Sequence, residues 1–427
     1  MCTPCAMAQD EVLVVLGGFS STYQRLNDVA CLQLGRADAG WRPLPPLLRP
    51  RVGPAAAPLA GGGLVVAGGA GDGSAELFEA YGASAEQLAS APPGAHSGGW
   101  QPLPPMAAEH SGARALTLGD GRVVVIGGLA KGGRVILDTV EAYDPASRSW
   151  SALAPLHTGR VNFAACALPG GSRLLVAGGE VSGIDMSQRI TQSVELYDSA
   201  QDSWAYLPEL SVERYGCGCG VLPDGAVLVV GGYGGKDRRP PPEPEPEGDG
   251  YTVGSFATLG LPPQAVAATA AATPAAEGGA ARPTARGLRS TGCPCCAMFT
   301  SDPTDENTRG RHLHSSELLL DFGSGDGSAQ DWTWLPGPPM ATARKGFAEA
   351  MLAAGGMVVL GGVDADGETR CDAECLPAEA GLGDKEEWAW QPGDGGVPPM
   401  AVARTSFAAV VSTAAALGLP ATRSSGD

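Results

Sequence analysis

Cysteine and histidine side chains gather in one short stretch of the sequence. Cys293, Cys295 and Cys296 lie close together, and His312 and His314 follow them. Thiolate and imidazole groups are the ligands that zinc prefers in proteins. The Cys-x-Cys-Cys spacing differs from that of the usual structural zinc sites, so we expect loop cysteines here and no bound metal.

The other cysteines offer little redox chemistry. Cys2 and Cys5 have CxxC spacing, but no helical pattern follows them that would lower a thiol pKa. Cys217 and Cys219 alternate along an apolar stretch and are expected to be small core residues. The 11 cysteines are scattered among repeats that do not share them. This distribution favours a reducing compartment over a disulfide framework.

Basic side chains recur at one position of a repeating pattern. Five of them precede a Gly-Gly pair by 17 or 18 residues, and the sixth holds the same place before the last apolar run: Arg51, His110, Arg160, Arg214, Arg344 and Arg404. Arginine pairs bidentately with carboxylates, so one hypothesis is a basic rim that binds an acidic peptide. The alternative is structural, with each side chain paired to an acidic residue of a nearby repeat, such as Glu76, Glu141, Glu195, Glu317 or Glu374.

The repeat that positions these residues is about fifty residues long. Short Val-rich runs close on the pairs Gly17-Gly18, Gly68-Gly69, Gly127-Gly128, Gly178-Gly179, Gly231-Gly232 and Gly361-Gly362. A tryptophan with a proline-rich tail follows each pair, at Trp41, Trp100, Trp150, Trp204, Trp334 and Trp390. The runs are too short for helices and predict buried strands. A period of this length indicates units that pack on one another.

Each unit is predicted to have four strands, A to D in chain order. Strand A follows the proline tail, B ends in the glycine pair, C carries a glutamate, and D begins at the tryptophan. A lone four-stranded sheet cannot bury both faces, so we expect the units to stack radially. The first copy lacks a strand A, and the last strand has no unit of its own. We therefore expect residues 404–411 to pair with 12–16 and close a ring of six units.

These registered signals resemble the kelch motif, most clearly in Val140-Glu-Ala-Tyr-Asp144 and Val194-Glu-Leu-Tyr-Asp198. The resemblance implies an all-β, six-bladed kelch-type β-propeller over residues 11–413, closed by the C-terminal strand. Residues 1–10 and 414–427 are expected to be tails. Residues 236–310 break the repeat with Pro-Glu alternation and an Ala-rich tract. Their composition predicts a disordered, low-complexity insertion between strands B and C of blade five.

The resemblance also implies a role in protein interaction. Relatives often present substrates to ubiquitin ligases through an F-box or BTB domain. Neither pattern is visible here, so a ligase role would need a link from another chain or from a longer protein. The B–C loops vary between copies and are expected to share one face with the D–A connections. We expect a protein partner on this face, where the six basic residues would rim the channel.

Kelch enzymes supply the alternative function. Copper oxidases resembling galactose oxidase need two histidines and two tyrosines, one of them cross-linked to a cysteine, and none of the five histidines here directly follows a tyrosine. Plant specifier proteins use the iron motif Glu-x3-Asp-x3-His, and this spacing does not occur in the sequence. We therefore expect no catalysis, cofactor or metal. An enzyme or a small-molecule or metal site in the channel is the alternative, and a purely structural role such as cytoskeletal association is the third.

Charge and hydropathy limit the partners further. The net charge of −18 argues against binding to nucleic acid or to an anionic membrane by the whole surface. The sequence has no apolar span of membrane length and no visible secretory signal. We expect a monomer in the cytoplasm, with the nucleus as a second location.

Overall fold

Six four-stranded antiparallel sheets form the described part of the molecule. The computed structural model describes residues 11–34, 40–80, 98–182, 188–234, 311–321, 332–378, 389–393, 397–417 and 419. Each of these six sheets has the strand order A-B-C-D. These residues include no α-helix, and one 3₁₀ turn, Ala415–Leu417, follows the last strand. The expected all-β, six-bladed propeller is confirmed.

Blade 1 joins the two ends of the propeller. Its strands A to D are Ala408–Thr413, Glu11–Leu16, Val29–Gln33 and Arg42–Leu44. Strands A and B pair antiparallel, from Leu16 opposite Ala408 to Glu11 opposite Thr413. The predicted closure is confirmed, but strand A begins at Ala408, because Arg404 and Thr405 pair with Ser20 and Phe19 instead. Closure covers the edge that a linear array would expose.

The other five blades follow one another along the chain. Their strands A to D are, for blade 2, Ala55–Pro58, Leu64–Ala67, Ala75–Ala80 and Gly98–Pro102; for blade 3, Arg114–Thr117, Val123–Ile126, Val140–Asp144 and Ser149–Leu153; for blade 4, Ala164–Ala167, Arg173–Ala177, Val194–Asp198 and Ser203–Leu207; for blade 5, Gly218–Val221, Val227–Val230, Ser316–Asp321 and Trp332–Gly337; and for blade 6, Ala348–Met351, Met357–Leu360, Ala373–Leu376 and Gln391–Pro392.

Short strands pair within a single B–C loop or join a B–C loop to the segment before strand A. The pairings are Phe19–Ser20 with Arg404–Thr405, Leu129–Ala130 with Val135–Ile136, Glu180–Ser182 with Gln188–Ile190, Arg344–Lys345 with Val363–Asp364, and a three-stranded group of Arg214–Tyr215, Tyr233–Gly234 and Arg311–His312. Residues 235–310, which include the whole of the expected insertion at 236–310, lie outside the described residues. The described strands that flank them are B and C of blade 5.

The glycine pairs are required where strand B leaves the sheet. Strand B is fully buried, as in Val123–Ile126, because other strands flank it and neighbouring blades cover it. The chain then turns with positive φ at both glycines, for example +68° at Gly68 and +76° at Gly69. A Cβ atom on Gly68 would lie 2.2 Å from the carbonyl oxygen of His110. Only glycine allows this close approach between blades.

The repeated tryptophans join each blade to the preceding one. Trp204 Nε1 donates to the carbonyl of Ala154 at 2.9 Å, and Trp41 closes the circle by donating to Pro398 at 2.9 Å. The other four donate to Pro45, Pro104, Pro208 and Pro338. Each tryptophan therefore adds a directed hydrogen bond to the apolar area that it buries.

Candidate functional site

The six basic residues singled out by the repeat are buried. Arg51, His110, Arg160, Arg214 and Arg344 are 0% exposed, and Arg404 is 2% exposed. Their charged atoms are turned into the blades and do not reach the surface. The expectation of an exposed basic rim is therefore corrected, and an acidic partner cannot reach these side chains in this conformation.

Arg160 shows what these residues do. Its Nη2 lies 2.5 Å from Glu195 Oε1, and its Nη1 donates to the carbonyls of Gly178 and Ser193 at 2.9 and 3.1 Å. Burial lowers the pKa of Arg160, whereas the adjacent Glu195 opposes that effect. A guanidinium group this deeply buried is tolerated because its charge is paired and its N–H groups are bonded.

The same arrangement recurs around the ring. The matching pairs are Arg51 with Glu76, His110 with Glu141, Arg214 with Glu317 and Arg344 with Glu374, at 2.6 to 2.9 Å. The glutamate always lies in strand C of the blade that its partner precedes, and not in another blade. The five glutamates expected as structural partners are therefore the observed partners of the basic residues.

The carboxylates also hold the D–A connections in place. Glu374 accepts the backbone N–H groups of Ala341 and Thr342, and Glu317 accepts those of Ser211 and Val212. For Glu141 the hydrogen bonds from His110 and from the backbone outweigh burial, so that its pKa is lowered. Each pair therefore fixes the D–A connection to strand C through hydrogen bonds to the glutamate.

A closed circle of six backbone hydrogen bonds lies between these pairs and the inner strands. Each N–H donates to the carbonyl of the equivalent residue in the preceding blade, at 2.6 to 3.0 Å. All six residues have positive φ, between 52° and 69°: Gly53, Gly112, Asn162, Gly216, Gly346 and Ser406. We call this circle the collar. It lies on the D–A and B–C side of the channel, because these residues belong to the D–A connections.

The channel beside the collar is lined by strand A of all six blades. Its cavity measures about 400 Å³, within the range of small-molecule pockets. Most of the lining side chains are small and apolar, such as Ala56, Ala115 and Ala409. Strand A of every blade therefore contributes to the wall of the channel.

Two charged residues interrupt this wall. Arg114 Nη1 lies 3.1 Å from Glu349 Oε1, and the two residues come from blades 3 and 6, on opposite sides of the ring. Arg114 also donates Nε–H to the carbonyl of Phe163 at 2.8 Å and Nη2–H to that of Cys217 at 2.9 Å. One side chain thus links four blades across the channel.

The repeat pattern does not predict this pair, although the aligned inner strands contain a signal. At the first position of strand A the blades carry alanine or glycine, except for Arg114. At the second position they carry alanine or cysteine, except for Glu349. Gly218 makes room for the carboxylate, because a Cβ there would lie 2.9 Å from Glu349 Cδ.

A polar and aromatic cluster lies on the collar side of blades 4 to 6. Lys345 Nζ donates to the Tyr215 hydroxyl at 3.0 Å and lies 4.6 Å from the centre of the Tyr233 ring. His312 packs edge-on against Tyr233 at 5.3 Å. Burial, together with the charge of Lys345, lowers the pKa of His312 to about 4. Glu180 lies near Lys345 and is 2% exposed, and burial raises its pKa to about 8.

The B–C loops expose basic and apolar side chains on the same side. Arg25, Lys131 and Arg134 are exposed, and so are Tyr23 at 71% and Val135 at 38%. Lys131 and Tyr23 have positive φ, at 53° and 57°. These residues differ from blade to blade, whereas the buried ion pairs and glycines repeat.

The cysteines and histidines considered as metal or redox groups lie only partly among the described residues. Within the described ranges, no group of three or more His, Cys, Asp and Glu side chains could hold a metal. Cys293, Cys295, Cys296, Cys2 and Cys5 lie outside the described residues. Cys217 and Cys219 are buried core residues, as expected. The described part of the chain contains no helix with the length and hydropathy needed to cross a bilayer.

Comparisons with known proteins agree with this architecture. The family described as Kelch motif matches residues 113–157. An F-box/kelch-repeat protein of Arabidopsis thaliana is 33% identical over 132 residues, which cover 30% of this chain and 33% of that protein. Kelch-like protein 24 of Rattus norvegicus is 34% identical over 117 residues, covering 27% and 18%. The chain therefore carries a kelch motif at residues 113–157 and is similar to kelch-repeat proteins over part of its length.

These matches cover a third or less of the two relatives, so the activities of the whole relatives do not follow for this chain. The solved structure of YjhT is similar over 88% of this chain and 95% of its own, with a TM-score of 0.54 and 14% sequence identity. At that identity the similarity concerns the propeller fold alone.

Proposed function

We propose that this kelch propeller is a protein-interaction module that binds its partner on the face formed by the B–C loops and D–A connections. The observation that carries the proposal is the contrast on this face. Its framework of collar, glycines and ion pairs repeats, whereas its exposed loop residues differ between blades. Binding residues commonly lie on variable loops held by a rigid scaffold.

An acidic segment is the partner chemistry that we favour. The buried arginines cannot take part, so the accessible basic residues of the loops would receive the carboxylates: Arg25, Lys131 and Arg134. Tyr23, which is 71% exposed, would supply aromatic contact. Binding of this kind depends on ionic strength, because the charges are exposed to solvent.

A peptide array tests the proposal. Acidic, neutral and basic peptides of equal length are probed with the full chain, and the triple variant Arg25→Glu/Lys131→Glu/Arg134→Glu is compared with it. We expect binding to the acidic peptides that weakens with salt and is lost in the variant. Arg122→Glu/Arg148→Glu is the matched control, because these residues lie in the A–B and C–D turns on the opposite side. Equal loss in both variants would contradict the proposal.

A role in substrate recognition for a ubiquitin ligase is the biological context that we propose. It rests on the names of the relatives, which include F-box/kelch-repeat proteins. Affinity purification of the full chain, followed by mass spectrometry, would test it, and we expect ligase subunits together with an acidic substrate.

We also propose that the protein acts as a monomer in the cytoplasm or nucleus. Sedimentation would check the oligomeric state, and imaging of a tagged chain would check the location.

A further inference from the structure

The channel contains a buried carboxylate oxygen without a hydrogen bond of ordinary geometry. Glu349 Oε1 pairs with Arg114, whereas Oε2 is buried and has no such hydrogen bond with a described residue; the backbone N–H of Cys219 also acts on this carboxyl group. The Glu349 side chain is 9% exposed, and it lines the cavity. Buried polar atoms in native proteins almost always find a partner, from the protein, from water or from a ligand. This oxygen is therefore a place where a bound molecule would donate a hydrogen bond.

Arg114 offers the complementary group. A guanidinium has five N–H groups, and three of those on Arg114 point to Phe163, Cys217 and Glu349. Two N–H groups remain that bond to no described residue. Arg114 lines the same cavity and its side chain is 25% exposed, so it is more accessible than Glu349. A donor and an acceptor thus lie side by side at one end of an otherwise apolar channel.

The ion pair is not needed to build the channel wall. Blades 1, 2 and 4 place alanine at both positions of strand A that Arg114 and Glu349 occupy in blades 3 and 6. A buried ion pair adds little stability compared with apolar residues of similar volume. Moreover, Gly218 must lack a side chain for Glu349 to fit. The buried Arg114–Glu349 pair therefore contributes less to folding stability than apolar residues at the same positions would.

We propose that the channel binds a small molecule with a primary carboxamide group. The amide N–H would donate to Glu349 Oε2, and the amide oxygen would accept from a remaining N–H of Arg114. A neutral head group fits best, because a free carboxylate or ammonium would be repelled by one member of the pair. The short apolar tail of such a molecule would contact the alanines of the wall, and the cavity of about 400 Å³ has room for it.

This site is separate from the loop face and does not depend on the protein partner. It extends the idea of a small-molecule site in the channel by naming the residues and the chemistry of the ligand. Failure of the peptide experiment would leave it intact, and its own failure would leave the interaction proposal intact.

Ligand-observed NMR on the full chain tests the proposal. The probes are valeramide and its charged counterparts of equal length, valerate and pentylamine, with saturation transfer from the protein as the readout. We expect transfer to valeramide and weaker or no transfer to the charged probes. Glu349→Gln removes the negative charge and replaces one carboxylate oxygen with an NH2 donor, and we expect it to weaken valeramide binding at least about tenfold. Glu109→Gln, outside the channel, is the matched control and should bind as the wild type does.

A second variant keeps the proposal testable if Glu349→Gln fails to fold. Ala56→Leu fills the channel from blade 2 without touching the ion pair, and we expect it to block binding while the thermal midpoint stays near that of the wild type. The proposal is overturned if valeramide shows no transfer, if Glu349→Gln binds it unchanged, or if a charged probe binds better.

Discussion

Arg404 donates to Asp28 at 2.6 Å and so joins residues from the two ends of the propeller. This pair takes the place of the Arg–Glu or His–Glu pairs of the other blades, since Ala30 stands in blade 1 where the others have glutamate. The Asp28 side chain is 45% exposed, whereas Glu195 in blade 4 is fully buried. The blade that closes the ring therefore has the most solvent-exposed ion pair of the six.

We expect the difference in burial between Asp28 and Glu195 to appear in the free energy of unfolding of their variants. Glu195→Gln leaves Arg160 buried without a counter-charge, which should lower the free energy of unfolding by roughly 3–5 kcal/mol. Asp28→Asn removes an exposed partner and should cost about 1 kcal/mol or less. Urea unfolding of the two variants measures the difference. Equal losses would show that burial does not govern these pairs.

Removing the closing strand should destabilise the whole propeller. A chain ending at Ala403 loses the strand Ala408–Thr413 that covers Glu11–Leu16. We expect its thermal midpoint to fall by about 10 °C or more, because an inner strand and its apolar contacts are lost. A chain ending at Leu419 keeps that strand and should unfold near the wild-type temperature. If both chains unfold together, the closed ring is wrong.

Two glycines with the same backbone conformation should respond differently to alanine. Gly68 and Gly132 have φ of +68° and +64°. Alanine at either position pays roughly 1–2 kcal/mol for the left-handed conformation. At Gly68 the added Cβ would also lie 2.2 Å from the carbonyl oxygen of His110, whereas nothing lies within 4 Å at Gly132. We expect Gly68→Ala to cost at least twice as much in denaturant unfolding, and a similar cost would contradict the close packing between blades.

Glu180 should make stability depend on pH. Burial raises its pKa from 4.5 to about 8 in the folded protein. Between these values the folded state holds a proton that the unfolded chain has released, so stability decreases as pH rises. Glu180→Gln removes this dependence and should gain on the order of 1–3 kcal/mol relative to the wild type between pH 5 and pH 8.

Paired unfolding curves at these two pH values measure that gain. Glu109→Gln, a less buried position, is the control and should show no such change. A gain for Glu180→Gln that is the same at both pH values would contradict the assignment.

The repeat predicted the fold because each of its signals reports a local requirement. Gly-Gly marks a turn with positive φ, and the Val-rich run before it marks a strand covered on both sides. The unpaired strand at the C-terminus predicted closure, since a sheet edge left open would have no partner. The carboxylates of strand C were predicted as partners of the basic residues because both recur in register.

The sequence by itself determined the number of blades, their strand order and the closure of the ring, because these follow from short-range patterns repeated along the chain. Only the tertiary structure decided that the recurrent basic residues face inward and that the channel carries a polar pair. Arg114 and Glu349 are 235 positions apart and meet because blades 3 and 6 are opposite one another. The collar likewise consists of backbone groups, which no side-chain pattern records, and it forms when the circle of blades brings these groups within hydrogen-bonding distance.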